Sequence, residues 1–339
     1  MQLHRSALEG DRLALARLLT EIENDTQAGQ EALNAVFKRT GKAHLVGVTG
    51  APGTGKSSLV NQLAQYYRKP PTGEQPRRVG IVAVDPSSPF TGGAVLGDRI
   101  RMRELSGDNG VFIRSMATRG SLGGLAAATA GVVQALDAAG YDLIFIETVG
   151  SGQVEVEVAK LAHTVLVVDA PGMGDDVQAI KAGILEIADI LVLNKADRPG
   201  VESAERALLG MLKLGHPTKR VVHHGLAGEV PAADAELAAA NEWIPPIRRT
   251  IATEGQGIPE LAAAIAGHRL HLERSGDWQR RDLARLQNEV EDLLRSQLME
   301  RWRDQVDERV YNSVMEEMLG RKLSPRQAAA ALLNGRKAS

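Results

Sequence analysis

Four short groups of residues in this chain have the types and spacing that nucleotide chemistry needs. The first is G-A-P-G-T-G-K-S at residues 50–57, a full G-x-x-x-x-G-K-S pattern. Its glycines let the backbone turn tightly enough for successive N–H groups to face one concavity, which attracts anions. A helix starting just after it adds the positive end of its dipole. Lys56 would reach the β- and γ-phosphates of a nucleotide, and the Ser57 hydroxyl would bind Mg²⁺. The lining of the phosphates then falls to Gly50, Ala51, Pro52, Gly53, Thr54, Gly55, Lys56, Ser57 and Ser58.

The second group, Asn194-Lys195-Ala196-Asp197, points to the base. The Asp197 carboxylate can accept two hydrogen bonds from guanine, at N1–H and the exocyclic amine, where adenine offers no matching pair. The Lys195 stem can lie over the ring, and Asn194 can brace the loop. The third and fourth groups are acids at the ends of apolar runs. Asp85 opens D-P-S-S, and Glu147 opens E-T-V-G. Either could reach Mg²⁺ directly or through water, and the Gly150 N–H could meet a γ-phosphate. The alternative for each acid is a strand-end cap. Asp98 and Arg101, after the Gly92-Gly93 pair, suit either a segment that orders on nucleotide binding or a plain surface helix.

Every one of these groups follows an apolar run. The runs Leu45–Val48, Val79–Val84, Val111–Arg114, Asp142–Ile146, Thr164–Val168 and Ile190–Leu193 read as strands. Several are nearly continuous in Val, Ile and Leu, as expected of strands covered on both faces. Helix-length segments such as Leu122–Ala139 and Val177–Ile187 alternate with them. The fold class is therefore α/β, a doubly wound, mostly parallel sheet that binds its ligand at the strands' carboxyl ends. Residues 1–41 read as a helical prefix of two short helices, the second capped by Asp25 or Thr26. Residues 42–275 form the sheet domain, closed by a helix over Ile258–His271 with Pro259 in its first turn. Residues 276–339 are charged and helical, with Leu283, Leu286, Val290, Leu293, Leu294, Leu298, Trp302 and Val306 on one stripe. Such a stripe needs a partner helix, in the same chain or in a second subunit, and a homodimer through this extension is expected. Ser324-Pro325 reads as the cap and first turn of a terminal helix over Arg326–Leu333.

Two irregular stretches draw notice. Arg68–Arg78 is Pro-rich and basic and reads as a solvated connection. The stretch Gly215–Ile247 carries His216, His223 and His224, but nothing nearby completes a metal-ligand set.

Composition narrows the classes. The chain has 339 residues, a formal net charge of −2 and 24% charged residues, which gives no general attraction to nucleic acid or membrane. Aromatics make up 3%, too few for base-stacking platforms. Cysteine is absent, so disulfides and thiolate metal sites are excluded. No run reaches the length of a membrane span, and the N-terminus lacks an apolar signal core, so a cytoplasmic protein is expected.

Together the motifs resemble those of the MeaB/ArgK-type P-loop GTPases, metallochaperone relatives of the nickel-site chaperone GTPases. The resemblance rests on residues 50–57, on V-D-P-S-S-P-F-T-G-G-A-V-L-G-D-R-I-R-M at 84–102 and R-S-M-A-T-R-G-S-L-G-G-L at 114–125. It continues through I-E-T-V-G-S-G-Q at 146–153, V-V-D-A-P-G-M-G-D-D-V-Q-A-I-K-A-G-I-L-E at 167–186 and N-K-A-D at 194–197. It implies a GTP- and GDP-binding, Mg²⁺-dependent GTPase that serves an adenosylcobalamin-dependent acyl-CoA mutase of the methylmalonyl-CoA type. The role implied is gating cobalamin loading and protecting the mutase. It also implies switch regions at Asp85–Asp98, Glu147–Gln153 and Pro171–Lys181, with Asp175 and Lys181 in the third. The metal set implied is Ser57, Asp85, Asp98 and Glu147. Lys56, Glu147 and Gln153 are the catalytic residues, and either Glu147 or Gln153 could orient the water. Many GTPases support guanine with Ser-Ala-x after the last strand. Here Ile251-Ala252-Thr253 stands at that place, so support would come from backbone N–H groups. A metal-insertase of the nickel type and a kinase of a transport protein are the competing readings. The missing cysteines and the absence of a His-rich tract count against the first, and N-K-A-D against the second.

Overall fold

The computed structural model describes residues 3–71, 73–85, 105, 107–117, 122–148, 153–172, 186–215 and 243–333. Seven strands form one sheet: β1 (His44–Thr49), β2 (Val79–Asp85), β3 (Val111–Ala117), β4 (Leu143–Thr148), β5 (Thr164–Asp169), β6 (Ile190–Asn194) and β7 (Ile247–Thr250). Their order is β3-β2-β4-β1-β5-β6-β7, and every pairing is parallel. The chain reverses its direction of travel across the sheet at β1, which lies between β4 and β5. Loops leaving neighbouring strands diverge there and open a crevice.

The described helices are α1 (Leu3–Leu8), α2 (Arg12–Glu23), α3 (Gln27–Val36), α4 (Lys56–Arg68), α5 (Leu122–Ala138), α6 (Gln153–Leu161), α7 (Val201–Gly215), α8 (Ile258–Ser275), α9 (Asp277–Gln305), α10 (Glu308–Leu319) and α11 (Pro325–Leu333). On one face, Leu59 and Leu63 of α4 and Leu261 and Ile265 of α8 pack on Val46, Val48, Phe145 and Leu166. On the other, α2 and α5 bring Leu18, Ile22, Val132 and Leu136 against Leu45, Ile144 and Ile146. Further along that face, α6 and α7 cover Val165, Val167, Leu191 and Leu193. Burial on both faces explains the unbroken apolar character of β1, β4 and β6.

The N-terminal prefix holds three helices where two are expected from the sequence. Gly10, at φ 98°, breaks the run, and Asp11 caps α2 by accepting from the N–H groups of Leu13 and Ala14. Thr26 caps α3 through the Gly29 N–H, while Asp25 takes a positive φ just before it. The strand β7 is also additional. Its sequence, I-R-R-T, is short and charged because it lies at the sheet's edge. Lys69 and residues 73–76 are exposed, as expected of a solvated connection, but the arginines at its two ends are not free in solvent. Arg68 makes a two-pronged pair with Asp108, both bonds at 2.9 Å, and also donates to the Arg77 carbonyl. Arg78 donates to the Ala139 carbonyl and lies over the Tyr141 ring.

A polar cluster seals the end of the sheet where the strands begin. Asp189, just before β6, takes two hydrogen bonds from Arg281 of α9 at 2.7 and 2.8 Å. His268 of α8 lies 3.3 Å from the same carboxylate and contacts the Thr164 hydroxyl at 2.9 Å. That hydroxyl also meets His44 at 2.7 Å. Beside them, His163 accepts from the Leu45 N–H, pairs with Asp282 at 3.0 Å and stacks on Trp278. Burial would raise the Asp189 carboxyl, but the Arg281 guanidinium and His268 hold it well below the ordinary carboxylate range. Burial pushes His163 down to about 4, which keeps its ring neutral near neutrality.

The chain divides into two compact units, 1–286 and 287–339, and the division falls within α9. In the second unit, Val314, Ala328 and Leu332 form a small core together with Trp302, Val306 and Val310. Asp307 caps α10, and the Ser324 hydroxyl accepts from the Gln327 N–H at the start of α11. Trp302 and Val306 therefore pack on helices of their own chain, one of the two arrangements expected for the stripe. Val290, Leu293, Leu294 and Leu298 are 46–62% exposed.

Candidate functional site

The phosphate-loop residues lie between the end of β1 and the start of α4, beside the carboxyl ends of β4, β5 and β6. Two glycines there are demanded by the space around them. Gly50 has φ 134°, and a Cβ on it would sit 2.0 Å from the Val168 carbonyl oxygen. Gly55 has φ 96°, and a Cβ would lie 2.4 Å from Asn194 Nδ2. An L side chain at either place would be strained in its backbone and would clash as well. Thr54 is fully buried and closes the turn through its hydroxyl onto the Ala51 carbonyl, at 2.9 Å. The Lys56 ammonium donates to the Gly50 and Ala51 carbonyls at 2.7 and 2.9 Å. The cation is thereby held over the loop's own entrance.

Ser57, in the first turn of α4, donates its hydroxyl to Glu147 Oε1 at 2.5 Å, and both residues are buried. Glu147 gets there because β4 pairs with β1 in a register that sets Glu147 opposite Val48, one residue from the end of the strand. Val48 belongs to the core on the α4 face, and Glu147 shares that face with Ser57. Hydroxyl and carboxylate oxygens at a phosphate loop are hard donors that suit Mg²⁺. Asp85 is the last residue of β2, which pairs with β4 on its other side, so its backbone ends at the same edge of the sheet. Asp98, Gly150, Asp175 and Lys181 lie outside the described residues, as do His216, His223 and His224. So do most of the expected first and third switch segments. Gln153 begins α6.

The tetrapeptide Asn194–Asp197 forms a brace. Asn194 Nδ2 donates to the Thr54 carbonyl at 2.8 Å. Its Oδ1 accepts from the Thr250 hydroxyl at 3.0 Å and from the Ala252 N–H at 3.1 Å. One buried amide thus joins the phosphate loop, the end of β6 and the turn after β7. Lys195 adopts φ 57°, and its ammonium reaches the Gly53 carbonyl at 2.5 Å. Partial burial and the nearby Arg198 lower its pKa, against a raising effect from Asp197. Asp197 is exposed to solvent. Ile251, Ala252 and Thr253 lie in a turn closed by an antiparallel bridge between Ile251 and Gln256. The Ala252 N–H is taken by Asn194, which leaves that amide in the brace and not facing a ligand.

A family model described as methylmalonyl Co-A mutase-associated GTPase MeaB matches residues 15–307. The chain belongs to the MeaB family of GTPases. A protein of Pyrococcus abyssi is 43% identical over 325 residues, covering 96% of this chain and 93% of its own. GTPase ArgK of Escherichia coli is 31% identical over 331 residues, covering 95% and 92%. A solved structure titled LAO/AO transport system kinase aligns with a TM-score of 0.64 at 25% identity, covering 98% of this chain and 96% of that one. As a MeaB-family member the chain is a GTP-binding, GTP-hydrolysing P-loop protein. Among the described residues, no helix is long and apolar enough to cross a membrane.

Sequence reasoning missed Thr250 and the paired threonines Thr49 and Thr148. Each is a buried hydroxyl at the carboxyl end of a strand beside a motif. That position is the available signal, because a hydroxyl placed there needs a partner.

Proposed function

We propose that this MeaB-family GTPase is a nucleotide-controlled chaperone for an adenosylcobalamin-dependent acyl-CoA mutase of the methylmalonyl-CoA type, gating cobalamin loading and protecting that enzyme. The observation that carries the reading is the match of residues 15–307 to a family described by its association with that mutase. A relative from Mus musculus, 30% identical over 348 residues, is named methylmalonic aciduria type A homolog, which agrees with it.

In this reading GTP and GDP sit on Gly50–Ser58, with guanine read by Asp197 and Lys195 and the pocket braced by Asn194. Ser57 and Glu147 would hold Mg²⁺, and Asp85 and Asp98 would complete the set directly or through water. When bound, Mg²⁺ supplies charge neutralisation on the β- and γ-phosphate oxygens. The Lys56 ammonium leaves the Gly50 and Ala51 carbonyls for those same oxygens as phosphate arrives. Glu147 or Gln153 orients the attacking water for in-line displacement. Turnover by the isolated protein is slow, and a partner raises it, as in GTPases that take their activating arginine from another protein.

Residues 276–339 act as a helical dimerisation arm, supported by the exposed apolar residues on α9. Residues 1–41 are a prefix to the GTPase domain at 42–275, and the protein works in the cytoplasm. The segment 171–181 relays nucleotide state to the mutase, and Asp175 and Lys181 are the positions in it to mutate first.

The test is a pull-down of candidate acyl-CoA mutases with GDP and with a non-hydrolysable GTP analogue. Nucleotide-dependent capture of one mutase is expected. Failure to bind any of them in either state would sink the chaperone reading, while phosphate transfer to a transport protein would favour the kinase reading.

A further inference from the structure

The last two residues of β4 hold the two flanks of the phosphate loop from opposite faces of the sheet. On one face, Glu147 accepts from Ser57, the second residue of α4. On the other, the Thr148 hydroxyl donates to the hydroxyl of Thr49, the residue just before Gly50, at 3.3 Å. Both threonines are wholly inaccessible to solvent. The parallel register that pairs Val48 with Glu147 brings the next residues of the two strands alongside each other. Alternation along a strand then sends Glu147 and Thr148 to opposite faces.

The surroundings give this arrangement consequences. Gly50 lies close against β5, where a Cβ on it would come within 2.0 Å of the Val168 carbonyl oxygen. Two residues before Thr49 lies Gly47, whose missing side chain lets α6 approach closely. A Cβ there would be 3.1 Å from both Val158 and Ala162. The end of β4 and the body of α6 are thus both tied to β1, through Thr148 and through Val158.

We propose that Thr148 and Thr49 are positioning residues for the GTPase reaction, setting the height of the phosphate loop against Glu147. The contact is longer than an ordinary hydroxyl pair, so its direct contribution to stability is small. Its effect is on geometry. Without it, the side-chain tie between the loop's leading flank and β4 is lost while Ser57 stays on Glu147, and small shifts of the loop against Glu147 are no longer resisted from that face. A small misplacement of reacting groups lowers rate far more than it lowers affinity.

The inference rests on the GTP-hydrolysing reading, which loss of turnover in Lys56→Ala tests separately. The experiment uses the full chain with Thr49→Val, Thr148→Val and the double variant, since valine keeps the shape and removes the hydroxyl. Single-turnover phosphate release, the Mg²⁺ half-saturation, GDP affinity in chelator and thermal midpoint are measured for each. A fall in rate of about 5- to 20-fold is expected for each single variant, with the Mg²⁺ midpoint raised several-fold, on the scale of positioning effects. Metal-free GDP affinity stays within about twofold, and the double variant is no slower than the slower single, as coupled sites require. Thr148→Ser restores the rate. Unchanged rate and Mg²⁺ dependence in folded valine variants would overturn the proposal. So would a loss of rate that merely tracks thermal midpoint, or rate losses that multiply in the double variant.

Discussion

The polar cluster at the base of the sheet makes the fold sensitive to acid, and the size of the effect follows from one buried ring. His163 is held neutral, with its pKa pushed down to about 4 by burial from an ordinary value of 6.5. In the unfolded chain the ring protonates as pH drops below that ordinary value; in the fold it does so only near 4. The unfolded state therefore binds more protons between these limits, and stability falls as pH falls through them. At pH 5 the unfolded ring is almost fully charged and the folded ring about one-tenth charged, a loss of about 2 kcal/mol relative to pH 7. His44 is depressed by burial and by His163 itself, so it adds to the loss in the same direction. The perturbation is His163→Gln, whose amide can still accept from the Leu45 N–H and donate to Asp282. Urea unfolding of wild type and variant, followed by circular dichroism at pH 7, 6 and 5, reads the effect. The wild-type midpoint is expected to drop about 0.7 M further than the variant's between pH 7 and 5, taking a slope of ~3 kcal/mol/M. Parallel pH dependence in the two proteins would refute the reasoning, because the buried ring would then contribute no proton linkage.

Gly55→Ala places a methyl against Asn194 in a left-handed backbone, and it is expected to weaken GDP binding at least about tenfold by titration calorimetry. Gly50→Ala meets backbone instead of a side chain and is the more damaging of the two, measured as residual binding and thermal midpoint. Removing one partner of the buried Asp189–Arg281 pair leaves an uncompensated charge. Arg281→Met is therefore expected to cost about 3–5 kcal/mol, and Asp189→Asn combined with Arg281→Met less, in equilibrium unfolding.

The elements that carry the nucleotide motifs are legible in the sequence because local rules decide them. An apolar run buried on both faces, a glycine turn and a helix start suffice for β1, the phosphate loop and α4. Similar patterns mark Glu147 and Asn194 at strand ends. The base of the sheet was not legible, since His44, His163, Asp189, His268 and Arg281 are scattered along the chain and only the topology gathers them. The adjacent His223 and His224 drew notice instead, and they lie outside the described residues. The strand β7 escaped because I-R-R-T has no apolar alternation, and its place is set by pairing with Leu191–Asn194. The pairing of Arg68 at the edge of the basic stretch 68–78 was hidden because its partner, Asp108, is 40 residues away. Nor could periodicity show that Trp302 and Val306 leave the stripe to join a core with α10 and α11.

Guanine selection by Asp197 is the point at which the account is most directly exposed to test. The carboxylate accepts two hydrogen bonds from guanine, whereas xanthine presents one donor and one acceptor at the same edge, which an asparagine amide can match. The measurement is calorimetric affinity of wild type and Asp197→Asn for GDP, xanthosine diphosphate and ADP. Wild type is expected to prefer GDP over ADP by at least about a hundredfold, the scale of a charge-assisted pair, and the variant to prefer xanthosine diphosphate. Equal affinity of wild type for GDP and ADP, or an unchanged order in the variant, would contradict it.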